Sequence, residues 1–248
     1  NVLDAEYVKF DEIVDELTER FGKRFFPLTL PVNPGPGFNQ MVDVLARKLH
    51  RYDAEGIGKF ESEDLPGDWQ DRVEELHQQL MENVAESDDE LLEKFFEEGE
   101  LSDEEIRNGL KGALRHQTFI PVFAVASGLS VGVPQLMDFL SAYAPSPCDG
   151  AVVTATRSDD QTLEIGLDDG SPLLSIFKTV SEPHVGELSF FRLYSGKVET
   201  GMDLHNTSRN HSERVGQIFQ MNGKDRSQVK AVQAGDLAAF VKLKGTHT

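Results

Sequence analysis

Apolar residues between Phe10 and Phe21 (Phe10, Ile13, Val14, Leu17 and Phe21) recur every three or four positions, which predicts a helix. Gly22 stands where such a helix would end. The run RFFPLTLPV reads as one short buried strand, stopped by the loop-forming NPGPG. FNQMVDVLARKLHRY fits a helix and a strand equally well. GIGKFESEDLP reads as the second arm of a hairpin opposite it.

Three helical segments with acidic first turns come next. Asp68 is placed to cap the first, whose stripe is Trp69, Val73, Leu76, Leu80 and Val84. Ser87 with Glu90, and Ser102 with Glu105, have the spacing of capping boxes for the second and third. FIPVFAVAS predicts a buried strand and GVPQLMDFLSAY a helix with Pro134 near its start. APSPCDG breaks the pattern and marks a domain boundary near 145–150.

Beyond that boundary the period falls to two. AVVTAT, TLEIGL, PLLSIFKTV, LSFFRLYSGKV, MDLHN, RVGQIFQM and LAAFVKLK are strand-like, with Gly170, Gly186, Gly201, Gly223 and Gly235 between or beside them. Leu188, Phe190 and Arg192 would share one face of a strand, and a turn at Ser195–Gly196 would lead into a second strand. In the stretch VQAGDLAAFVKL, an Ala-Gly-Asp turn would launch a buried strand. Short strands with glycine-rich turns argue for a small closed barrel. The expected fold is multidomain: an α/β or α+β part over 1–147, then an all-β part over 148–248.

Charge changes this picture. The 248 residues carry a net charge of −19, yet the residues from Asp149 onward account for only −2. The acidic first part argues against general nucleic-acid binding, so no DNA partner is expected. Apolar runs are too short to span a membrane. One cysteine, Cys148, excludes an internal disulfide and fits a reducing, cytoplasmic compartment.

Catalytic signatures are missing. Gly-Lys occurs at Gly22, Gly58, Gly196 and Gly223, but never within a phosphate-binding loop. The seven histidines lack ligand spacing, so no metal site is expected. Ser127 lacks the first glycine of a nucleophile elbow, and a structural role outweighs a hydrolytic one there. A solvated surface is the simpler reading of the acidic helices.

The second part carries the specific signal. Its segment with Val185, Gly186, Leu188, Phe190, Phe191, Arg192, Tyr194, Ser195, Gly196 and Gly201 resembles domain II of the translational GTPases, and most closely elongation factor G. Glu213, Arg214, Gly216, Ile218, Gln220 and Met221 continue the match, as do Ala234, Gly235, Asp236, Ala238 and Ala239. Upstream, EEGELSDEEIRNGL resembles the G′ insert of that factor, and the stretch Pro145–Pro147 its junction between G domain and domain II.

The resemblance implies a P-loop-GTPase-type α/β domain over 1–147 with an α+β insert at about 34–117. A translation-factor β-barrel over 148–248 would follow, its last strand truncated. It makes Asn1, Leu3 and Asp4 the remnant of the guanine-reading N-K-x-D motif, with Val2 in the lysine position. Ser127, with Val125 and Ala126, would form the second guanine-contacting loop in altered order. The P-loop, both switches and the catalytic histidine would lie before residue 1, and the translocating domains after residue 248. These residues alone would then hold no catalytic group and no cofactor, whereas the full-length protein would bind GTP and Mg²⁺ and drive ribosomal translocation.

The implied partners are small-subunit ribosomal RNA, through Arg192, Lys197, Arg209 and Arg214 of the barrel, and the ribosomal stalk protein, through the acidic helices. Two alternatives stay open: a non-catalytic ribosome-binding paralogue with weakened guanine recognition, and an unrelated barrel that binds a small ligand or peptide.

Overall fold

A computed structural model describes residues 1–53, 57–150, 152–157, 159–182, 186–243, 245, 246 and 248. Gly56 of the expected hairpin arm, Ala151 of the first barrel strand, Val185 of the resembling segment, and Lys244 of the last strand lie outside them. The chain divides into two units, Asn1–Pro145 and Ser146–Thr248.

The first unit opens with α1 (Phe10–Phe21), closed where Gly22 donates its N–H to the Thr18 carbonyl. The run expected as one strand is two, β1 (Phe25–Pro27) and β2 (Thr29–Pro31). Leu28 is the cause of the break: it donates to the Val122 carbonyl and accepts from Val44, so it serves two sheets at once. The ambiguous segment forms β3 (Gln40–Asp43) and β4 (Lys48–Tyr52), and β5 (Phe60–Asp64) lies against β4 as the expected hairpin arm. Strands β2 to β5 make an antiparallel sheet in sequence order.

Three helices follow: α2 (Gly67–Ala85), α3 (Asp89–Glu98) and α4 (Asp103–His116). Two of the expected caps differ. Asp68 sits inside the first turn of α2, where it meets the positive end of the helix dipole without capping it. Asp88 caps α3 by accepting from Glu90 and Leu91, while the Ser87 hydroxyl turns back to the Val84 carbonyl. The Ser102–Glu105 capping box forms as read. The Glu105 carboxylate also meets Lys94 of α3 at 2.6 Å, and it is held down to about 2 by that bond first and by the Ser102 hydroxyl and amide next. Helices α2 and α4 pack closely because Gly109 has no side chain: a Cβ there would stand 2.6 Å from Val84 Cγ1.

Strand β6 (Ile120–Val122) then pairs in parallel with β1, shorter and less buried than expected, and α5 (Val133–Tyr143) ends the unit. Tyr52, Met41, Phe38, Leu80, Val84 and Leu110 lie in the common core. Among the described residues no helix is long and apolar enough to cross a membrane.

The second unit is β-rich. Its strands are β7 (Val153–Thr156), β8 (Thr162–Ile165), β9 (Leu173–Glu182), β10 (Gly186–Ser195), β11 (Lys197–Glu199), β12 (Asp203–Asn206), β13 (His211–Arg214), β14 (Gln217–Asn222), β15 (Asp225–Val229), β16 (Ala231–Gln233) and β17 (Leu237–Val241). Five of them form an antiparallel sheet in the order β15-β14-β17-β10-β9, with ribbons β7–β8, β11–β16 and β12–β13 beside it.

The expected closed ring of strands is not completed by backbone pairing among the described residues. Its two edge strands are joined instead by a side-chain ion pair, Arg226 to Glu182 at 3.2 Å. The turn at Ser195–Gly196 leads into a second strand as read, and that strand, β11, leaves the sheet to pair with β16. Gly196 makes that exit possible. Its φ is +68°, and a Cβ would press on the Ser171–Pro172 backbone at 2.9 Å.

Strand β10 is apolar on both faces. Phe191 and Leu193 enter the main core with Ile218, Val232 and Phe240, while Leu188 joins Ala239 and Val241 on the other side.

Candidate functional site

The first four residues and the loop after β6 meet. The Asn1 side-chain oxygen accepts the Ser127 N–H at 3.0 Å and its own neighbour's, Val2, at 2.8 Å. Leu3 donates to the Val125 carbonyl at 3.3 Å and is itself buried. Its carbonyl accepts the Gly35 N–H at 2.7 Å. Ala126 is buried, and its backbone pairs with Val131 in both directions. Gly132 permits this close return: at φ +75°, any side chain would run into the Ala124 carbonyl.

This arrangement leaves particular groups available. Asp4 is half-buried, and no hydrogen bond or ion pair engages its carboxylate among the described residues. A carboxylate so placed can accept two N–H donors from a planar ring. Asn1 is already committed to bracing the loop. Val2 is 60% exposed with φ +62°, an uncommon conformation for a β-branched residue. Its isopropyl group has neither the reach nor the charge of a lysine. Asn1 and Ser127 are thus joined, Asp4 follows buried Leu3, and an exposed, short apolar side chain stands at Val2. Among the described residues no group of three or more His, Cys, Asp or Glu is arranged for a metal ion.

The four basic residues of the second unit do not form one cluster. Arg192 is exposed on the five-stranded sheet, its guanidinium 5.4 Å from the Tyr194 ring centroid. Lys197 lies on the β11–β16 ribbon, paired with Glu199 at 2.6 Å. Arg209 and Arg214 share the β12–β13 ribbon, Arg209 in its turn and Arg214 opposite Asp203. Neighbouring Glu213 is turned to the end of the chain, accepting from Gly245 and Thr246.

Residues 173–248 match the family model for elongation factor G domain 2. The second unit carries an elongation factor G domain 2. The resemblance read from its motifs is thereby borne out on the domain that bears them, and an unrelated barrel is set aside.

The whole chain also has the fold of a crystal structure from Thermus thermophilus, with a TM-score of 0.78 and 24% identity over 99% of this chain. The chain spans 34% of the length of that protein.

Within the elongation factor G domain, the geometry is readily traced to particular residues. Gly235 donates to the Leu193 carbonyl at 2.7 Å and Asp236 accepts from Gln233, so the Ala-Gly-Asp turn is pinned near the end of β10 before β17 starts. Two features are not legible from the motifs: the exit at Gly196, and a bulge in β9 where Phe190 faces Lys178 and Phe191 faces Ile176, leaving Phe177 unmatched.

Proposed function

We propose that these residues are the guanine-reading end of the G domain of an elongation factor G-type translational GTPase, with its insert at about 34–117, followed by domain II. In this reading the full-length protein works on the ribosome in the cytoplasm and couples GTP hydrolysis to translocation. The elements that hold phosphate and Mg²⁺ belong to other segments of that protein. The observation that carries the reading is the bond from Ser127 to Asn1, which unites the two loops that resemble the guanine-contacting pair.

In the bound state Asp4 would accept from the ring N–H and exocyclic amine of guanine, with Asn1 bracing the Ser127 loop. Domain II would meet small-subunit ribosomal RNA, with Arg192, Lys197, Arg209 and Arg214 as phosphate contacts. The acidic helices α2 to α4 would face a basic partner, the ribosomal stalk protein, where charge complementarity mainly raises the association rate.

Val2 supports a second reading, a ribosome-binding paralogue with weakened guanine recognition. Calorimetric titration of the full-length protein with GDP tests both. The main reading expects saturable binding that tightens about fivefold or less in Val2→Lys, the scale of one exposed cation–π contact. Binding that becomes detectable only in Val2→Lys supports the paralogue. Absence of binding in both proteins removes guanine recognition altogether.

A further inference from the structure

The five-stranded sheet presents a second face, opposite the main core, where motif residues of β10 meet a part of β9 that lies outside the motifs. Leu188, Phe190, Arg192 and Tyr194 alternate along β10 on that face, and the pairing sets Phe190 beside Lys178 and Ala239. The bulge in β9 changes what stands there. Strict alternation would send Phe177 and Lys178 to opposite faces, but the extra residue lets both reach Phe190. The two phenyl centroids lie 6.4 Å apart, and Lys178 Nζ is 5.7 Å from the Phe190 centroid. Farther along β10, Arg192 stands over Tyr194 at 5.4 Å.

This face is both apolar and cationic. Phe177 is 51% exposed, and Lys178 and Arg192 are exposed beside it. The carboxylate on the same face, Glu182, is already taken by Arg226. A buried core would not need exposed cations over its rings. Folding alone gains little from a bulge that turns a phenyl group outward. Rings flanked by cations suit a ligand with flat faces and a phosphate backbone. Single-stranded RNA has both, whereas duplex RNA keeps its base faces stacked inside.

We infer that this face binds single-stranded RNA, with Phe177 stacking on an unpaired base and Lys178 and Arg192 contacting the flanking phosphates. The inference rests on the reading of domain II as an RNA-facing unit and adds what kind of RNA it takes.

Fluorescence anisotropy with a labelled uridine oligonucleotide, an abasic oligonucleotide of equal length and a duplex tests it. The uridine strand should bind more tightly than either of the others. Phe177→Ala should weaken it by about fivefold to a hundredfold, the range of one lost stacking contact, and Phe177→Trp should keep it. Lys178→Ala should lower the salt dependence by about one phosphate contact. Equal affinity for the abasic strand, unchanged binding in Phe177→Ala, or displacement of the uridine strand by an acidic peptide would overturn it. Cosedimentation with ribosomes separates the two levels. If ribosomes bind and the oligonucleotide does not, this face is excluded while the ribosomal reading stands; if neither binds, both fall.

Discussion

Asn1 accepts the backbone N–H of Ser127 at 3.0 Å across 126 positions of sequence. One side chain therefore holds two loops in register, and Leu3 reinforces it through the Val125 carbonyl. Replacing Asn1 with Ala should free the Ser127 amide without disturbing the core, because both bonds of that side chain are at the surface. Amide hydrogen exchange should show Ser127 protection falling by about fivefold, the effect of roughly 1 kcal/mol. Unchanged exchange at Ser127 would mean that the bond does not order the loop.

Gly109 gives a prediction against helix propensity. In an exposed helix Gly→Ala stabilises by about 1 kcal/mol. Here the added methyl would meet Val84 Cγ1 at 2.6 Å and press on Leu91 as well. Gly109→Ala should therefore destabilise the first unit, by about 1–3 kcal/mol as overpacked cores do. Urea denaturation followed by circular dichroism measures the sign directly.

Glu105 predicts an acid limb. Its carboxyl lies at about 2 in the folded chain against an ordinary 4.5, chiefly through Lys94 and then Ser102. A folded value below the unfolded one means that this stabilisation is complete above the unfolded value and is lost as pH falls from about 4.5 toward 2. Urea midpoints measured across that window should decline more steeply in the natural protein than in Glu105→Gln.

Tyr52 predicts the opposite limb. Burial pushes its hydroxyl up to about 12, and that hydroxyl donates to the side-chain oxygen of Gln135. The folded value exceeds the unfolded one, so the contribution is complete below about 10 and disappears as pH rises through about 12. Phenolate absorbance should show one tyrosine ionising near 12 that is missing in Tyr52→Phe. The variant should also lose about 1–2 kcal/mol, since Gln135 is left without its buried donor.

Much of the first unit is legible in periodicity and caps. Phe10 to Phe21 and the Ser102–Glu105 box are readable because local chemistry decides them. The split at Leu28 is not, since a residue shared by two sheets looks like any apolar residue in a strand. Ser87 has the right spacing for a cap, but Asp88 competes for the same amides and wins them. In the second unit, strands β13 and β15 carry no apolar alternation, because HSER and DRSQV are polar and take their conformation from their partners. The Phe177 bulge is a matter of register, which no single strand's sequence contains. The meeting of Asn1 with Ser127 is legible only through the family resemblance, since nothing local links them.

The most direct test is cosedimentation of this chain with isolated small ribosomal subunits over a salt series. Binding at low salt that weakens as salt rises, and weakens further in Arg192→Ala, is the expected result. No association at low salt, or association indifferent to both salt and Arg192, would contradict it.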